Sequence, residues 1–363
     1  MIRNLIAIIV ILIFAGCSAT APNPPSEKKP KNIILLIGDG MGVTQITAGM
    51  YANGNKLNLE RFKVLGLHKT HPSHKDNLIT DSAAGATAFA CGVKTYNGAI
   101  GVDENEKPVQ TILEMAEEKN LATGLVSTSS ITHATPASFI AHQRKRKMMQ
   151  EIAADFLTTE IDFFIGGGKK HFESREDDRS ITEELKAKGY YMSDFIQEEL
   201  ADVTIPAGQN FGYFTANGEP LTKEQDRDYL MPATEMAIDF LDNHTKNGFF
   251  LMVEGSQIDW GGHANNSDYI VAEMIDFDNM VAKALDFAEK DGNTLVIVTA
   301  DHETGGYSIV KGSTQDTLVT KFTTDYHTAD MIPVFAYGPG ADAFGGIYEN
   351  TAIFDKMKAA FGF

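Results

Sequence analysis

Four carboxylates, three imidazoles and two hydroxyls draw attention in this 363-residue chain, because each lies beside the end of a short apolar run. Asp39 follows IILLIG; Glu254, Asp259 and His263 follow FFLMV in EGSQIDWGGH; Asp301 and His302 follow TLVIVTA in DHETGG. His327, in YHTAD, instead precedes the run IPVFAYG. Ser82 opens the small-residue stretch SAAGATAFACG after NLIT, and Thr135 lies in SSITHATPASF after GLVST. Four acids cannot share a dry pocket without cations. Mixed imidazole and carboxylate donors suit zinc, whereas carboxylates with a hydroxyl suit magnesium. In DWGGH, Asp259 and His263 are four apart with two glycines that let the backbone fold so both reach one ion. In DH, a turn must aim Asp301 and His302 inward together.

Taken singly, these signals are ordinary. An adjacent Asp-His pair is usually surface, and Ser82 on its own reads as a helix cap with Asp81 flanking it. The joint pattern at strand ends gives them weight. The turn GDGMG has the layout of an anion cradle, with glycines leading into a helix. Asp39 at its tip would repel an anion and suits a cation. His68, His71 and His74 stand at intervals of three, but Pro72 breaks any helix that would align them, so a solvated loop is expected. GGGKK at 166–170 lacks the Ser or Thr and the spacing of a nucleotide P-loop and reads as a turn. RKRK at 144–147 reads as a solvated basic run.

The elements that must position these residues alternate. Apolar, β-favouring runs occur at Ile33–Ile37, Thr123–Ser127, Phe249–Val253, Thr294–Thr299 and Ile332–Tyr337. Helical patterns fall at Pro108–Lys119, Met148–Leu157, Tyr229–His244 and Ser267–Glu289. This predicts an α/β fold with a mainly parallel central sheet and helices on both faces, which binds its ligands at the carboxyl ends of the strands. Residues 170–228 are more polar and irregular and are expected to form a small peripheral elaboration.

With 43% hydrophobic and 22% charged residues, the chain is a globular protein with ample length for a core. Its net charge of −18 excludes a nucleic-acid partner bound through bulk electrostatics. Residues 1–16 carry Arg3, an apolar run too short to span a bilayer, and Ala15-Gly16 before Cys17, a pattern that resembles a bacterial lipoprotein signal. Residues 17–31, rich in Pro, Ser and Lys, read as a tether, and the domain begins near Asn32 and extends to 363. The protein is therefore expected to be exported, periplasmic or at the cell surface, and held to the membrane only through a lipid on Cys17. Cys91 then has no partner for an intrachain disulfide.

Six segments in order, GDGMG, TDSAAGATAFACGVKTYNGAIGVD, THATPASFIAH, EGSQIDWGGH, TADHETGG and YHTADMIPVFAYGPGA, resemble the alkaline phosphatase family. The resemblance implies a phosphomonoesterase with two zinc ions and one magnesium ion. Asp259, His263 and His327 would hold one zinc; Asp39, Asp301 and His302 would hold the second, to which the nucleophile Ser82 also binds. Asp39, Glu254 and Thr135 would hold the magnesium. Arg146, 13 residues beyond His133, would be the phosphate-binding arginine. The four carboxylates with an ionised Ser82 carry −5, and three divalent ions with Arg146 carry +7, so a monoester dianion neutralises the site and a diester does not.

The chain departs from the family pattern where His133 stands in place of an Asp found in some members, and where Trp260 stands in place of Lys or His. Both positions border the third metal and the phosphate. The resemblance implies a homodimer as the usual assembly, which the sequence does not itself establish. A phosphodiesterase or sulfatase of the same wider fold is disfavoured by the DSAAGATA context of Ser82, and a non-catalytic metal- or phosphate-binding receptor has no need of that serine.

Overall fold

A computed structural model describes residues 28–315 and 317–363. The expected signal peptide, Cys17 and most of the tether lie outside the described residues. The first eight strands are β1 (Asn32–Gly38), β2 (Val64–Lys69), β3 (Ala122–Ser130), β4 (Phe163–Gly167), β5 (Tyr190–Asp194), β6 (Asn210–Phe214), β7 (Phe249–Gly255) and β8 (Thr294–Thr299). Four two-residue strands follow, β9 (Glu303–Thr304), β10 (Ser308–Ile309), β11 (Thr320–Lys321) and β12 (His327–Thr328), then β13 (Ile332–Tyr337) and β14 (Gly346–Glu349).

Ten of them form one sheet in the order β14-β2-β13-β8-β1-β7-β3-β4-β6-β5. All run parallel except β13, which is antiparallel to both β8 and β2. The reversal has a chemical consequence. The amino end of β13, not its carboxyl end, lies at the edge where the parallel strands finish, so the segment before it delivers His327 to that edge.

β1 is buried along its whole length because β7 and β8 flank it and helices cover both faces. Alternate residues serve opposite faces. Ile33, Leu35 and Ile37 pack in one core with Phe250, Met252, Leu295 and Ile297, while Ile34 and Leu36 pack in the other with Leu251, Val253, Val296 and Val298. The first core is closed by helices that include Ser82–Cys91, Ile112–Glu118 and Ala134–Ile140; the second by Val43–Ala52, Leu230–His244 and Ser267–Asp291. The helix 112–118 starts where Thr111 and Glu114 form a capping box, satisfying two otherwise unpaired amides.

Several expectations are sharpened. Residues 170–228 supply β5 and β6, which extend the same sheet at one edge. GGGKK is not a simple turn: Gly166 and Gly167 end β4, Gly168 takes φ +90°, and Lys169 opens a short helix. His68 is not in a solvated loop. It is buried in β2 with its Nε2 2.9 Å from the carbonyl of Ala300, whereas His71, half-exposed, faces Glu349 at 3.1 Å.

Candidate active site

The carboxyl ends of β1, β3, β7 and β8 and the segment before β13 converge on one buried polar region. Asp39 continues β1 by one residue, its amide donating to the carbonyl of Gly255 at the end of β7. Gly40 then turns with φ +74°, and a Cβ there would sit 2.6 Å from the Cα of Asp259, so only glycine lets the two segments approach this closely. Asp259 and His263 lie four apart on the short helix Gln257–His263. Helical spacing itself puts both on one face, and the two intervening glycines serve close packing against Ile270 and Thr304 rather than a special turn.

Two clusters share His302. His302, fully buried, places Nε2 3.1 Å from Asp301 Oδ2, 3.5 Å from Asp39 Oδ1 and 3.5 Å from Ser82 Oγ. Beside it, His327 stacks on His302 with ring centroids 3.5 Å apart, and its Nε2 lies 3.1 Å from His263 Nε2 and 3.6 Å from Asp259 Oδ1. His263 Nε2 is in turn 3.4 Å from Asp259 Oδ2. Ligand atoms of Asp39, Asp301 and His302, and likewise those of Asp259, His302 and His327, lie within 4.8 Å of one another. The Nδ1 atoms of His263 and His327 meet the carbonyls of Asp325 and Thr80 at 2.7 and 2.8 Å, which points both Nε2 atoms at the cluster.

The donor set fits cations. Both oxygens of Asp39, Oδ2 of Asp301, Oε1 of Glu254 and Oγ1 of Thr135 are buried without a hydrogen-bond partner. Burial, and then Asp301, Asp259 and Glu254, hold the Asp39 carboxyl well above the usual carboxylate range. Glu254 is pushed to about 7 chiefly by burial, although Ser127 donates to it at 2.6 Å. Such a concentration of orphaned acceptors is unstable in a dry protein interior unless positive charge compensates it.

Ser82 is the first helical residue of Ser82–Cys91, and Asp81 is the cap, accepting from the amide of Ala84 at 3.0 Å. The roles expected from sequence are thus exchanged, which leaves the Ser82 hydroxyl free to face His302. Asp81 also accepts from Arg146 Nη1 at 3.1 Å, and Arg146 Nη2 lies 3.2 Å from His133 Nε2. Arg146 is therefore the member of the basic run that turns inward. Burial, reinforced by the nearby guanidinium, lowers His133 to about 3, so its ring is neutral and Nδ1 is left without a partner. Trp260 meets that ring edge-on, with centroids 6.1 Å apart. Sequence reasoning missed the serines Ser127 and Ser129 around Glu254, and missed Glu303 and Thr304; the last two stood inside the quoted DHETGG and went unassigned.

An open, mostly parallel α/β sheet with carboxylate and imidazole clusters beside a serine at a helix start defines a metal-dependent hydrolase. The family model for alkaline phosphatase matches residues 30–321. The chain is similar to alkaline phosphatase 3 of Bacillus subtilis strain 168, with 36% identity over 96% of this chain and 94% of that protein. It is similar also to the alkaline phosphatase of Escherichia coli K12, with 35% identity over 93% and 87%. The solved alkaline phosphatase of the Antarctic bacterium TAB5 superposes with a TM-score of 0.86 at 45% identity, over 92% of this chain and 98% of that one. The chain belongs to the alkaline phosphatase family, and it is a phosphatase acting on phosphate monoesters.

Proposed function

We propose that hydrolysis proceeds through a phosphoserine on Ser82, at a site that holds two zinc ions and one magnesium ion. The observation that carries this reading is the set of orphaned, buried oxygens around two His-carboxylate clusters that both border Ser82. Asp259, His263 and His327 would hold one zinc, Asp39, Asp301 and His302 the other, and Asp39, Thr135 and Glu254 the magnesium. When bound, these ions would supply the charge that makes a serine hydroxyl and a water nucleophilic near neutral or alkaline pH.

The chain's own residues then do the rest. Ser82 Oγ forms a bond to phosphorus as the ester oxygen departs as an alcohol; water later breaks the Oγ–P bond and releases inorganic phosphate. Arg146 presents a planar fork to the phosphoryl oxygens, and Asp81 holds that fork beside Ser82. His133, neutral and bonded to Arg146, supports the arginine and would border the third ion. A histidine-to-aspartate variant of the TAB5 alkaline phosphatase has Mg bound in its M3 site, which supports a magnesium site in a relative of this chain.

The test is to trap phosphate on Ser82 by acid quench and locate it by peptide mass spectrometry, with metal analysis of the same sample. We expect a phosphorylated Ser82 peptide, about two zinc and one magnesium per chain, activity lost to chelator and restored by both metals, and no phosphopeptide from Ser82→Ala. Undiminished turnover by Ser82→Ala, or faster hydrolysis of a diester than a monoester, would refute the mechanism.

We further propose that residues 32–363 are one catalytic unit and that Cys17 is its lipid anchor, with the homodimer as its assembly. No helix among the described residues is long and apolar enough to cross a membrane. Intact-mass analysis of membrane-extracted protein should find a diacylglyceryl group on Cys17; a mature chain lacking Cys17 would remove the anchor from the proposal.

A further inference from the structure

We infer that Thr304 is a positioning residue that couples the two zinc clusters through one hydroxyl; the inference rests on the reading that both clusters hold zinc. Thr304 Oγ1 donates to Asp259 Oδ1 at 2.5 Å and lies 3.2 Å from His302 Nδ1. In the assignment proposed above, Asp259 would hold one zinc ion and His302, which both clusters share, would hold the other. Hydrogen-bond chemistry dictates the directions. A carboxylate only accepts, so the single hydroxyl proton of Thr304 goes to Asp259, and Oγ1 has only lone pairs left for His302. His302 must then carry its proton on Nδ1 and donate it. That tautomer leaves the Nε2 lone pair facing Asp39, Asp301 and Ser82, where a metal ligand is required.

The hydroxyl is held in place from four sides. In the β9–β12 ladder Thr304 pairs with His327, itself a member of the first cluster. Its amide donates to the carbonyl of Gly40, and its carbonyl accepts from Gln45 Nε2 at 2.8 Å. A Cβ on Gly262 would lie 2.8 Å from Thr304 Cβ, and one on Gly40 would lie 2.9 Å from its Oγ1. Gly40, next to Asp39, and Gly262, next to His263, therefore leave room for this threonine. Its γ-methyl and hydroxyl cannot exchange places without a clash or the loss of both hydrogen bonds, so the β-branched residue fixes the hydroxyl direction.

The decisive comparison is Thr304→Val, which keeps the shape and removes the hydroxyl, against Thr304→Ser, which keeps the hydroxyl. Zinc-loaded proteins are mixed with excess chelator, and zinc release is followed with a chromogenic indicator alongside kcat, KM and the absorption of the cobalt-substituted proteins. Loss of an outer hydrogen bond to a metal ligand typically costs about 10–100-fold in metal affinity. We expect Thr304→Val to release both zinc ions at least about 10-fold faster than wild type, with altered cobalt bands and lower kcat, and Thr304→Ser to recover most of each. A Thr304→Val protein that keeps both zinc ions and the cobalt spectrum of wild type would overturn the inference. If Val at 304 prevents folding, Thr304→Ala carries the same prediction, because it also removes the hydroxyl and adds no volume. Wild-type protein that binds no zinc would instead overturn the metal reading, so the two failures are distinguishable.

Discussion

Replacing Gly85 by alanine tests how tightly the nucleophile is held against the metal ligands. Gly85 follows Ser82 by three residues on the same helical face, and a Cβ at that position would lie 2.9 Å from Cβ of Asp301. Ordinary contact between such atoms begins at 3.4 Å, so helix and strand end must separate by 3.4 − 2.9 = 0.5 Å. Ser82 rides on that helix, and its Oγ is 3.5 Å from His302, the neighbour of Asp301. A misplacement of about 1 Å at a reacting group can cost about 100-fold in rate, so half that displacement predicts a loss of roughly 10-fold in kcat/KM. Stability should change much less. Alanine gains about 1 kcal/mol over glycine in a helix interior, while overpacking costs about 1–3 kcal/mol, leaving a net loss of about 0–2 kcal/mol. Steady-state kinetics on an aryl phosphate, with a urea melt of the same preparation, separates the two effects. A Gly85→Ala protein within two-fold of wild-type kcat/KM would refute the reasoning, because it would mean that the helix is not registered against Asp301.

Two further outcomes follow from the charges. Arg146→Ala removes the cation beside Asp81 and the partner of His133, and kcat/KM should fall roughly 10–100-fold with a rise in the inhibition constant for inorganic phosphate. Arg146→Lys should restore only part of it because an ammonium lacks the planar fork; a full restoration would contradict the bidentate role. Glu117, raised to about 7 first by burial and then by Asp162, gives a pH dependence of stability. Below its ordinary pKa of about 4.5 both folded and unfolded chains hold the proton; as pH rises toward 7 the unfolded chain releases it first, so stability falls and the loss is complete above 7. Glu117→Gln should therefore be more stable than wild type near pH 8, by roughly 1–3 kcal/mol, and equal to it near pH 4; equal urea midpoints at both pH values would refute this.

The central strands β1, β7 and β8 were legible because a strand covered on both faces needs an apolar run, and each has one. The site was legible for a related reason: a polar cluster straight after such a run has nowhere to be but the carboxyl edge of the sheet. Residues whose environment comes from distant chain were not legible. β2, β4, β5, β6 and β14 lie toward the sheet edges, where short mixed segments carry little periodic signal. His68 looked solvated because nothing local reveals that β2 lies beside β13, in the same sheet as β8, or that the carbonyl of Ala300 awaits its Nε2.

The amino-acid sequence by itself determined the α/β architecture, the donor atoms available for cations and the serine that could serve as nucleophile, because apolar runs and side-chain chemistry are local properties. Tertiary structure alone decided which donors meet. It reversed β13 so that His327 reaches the carboxyl edge, and it brought Thr304, which follows His302 by two residues, against Asp259, 45 residues away. These depend on packing between segments far apart in the chain, and no spacing within one segment encodes them.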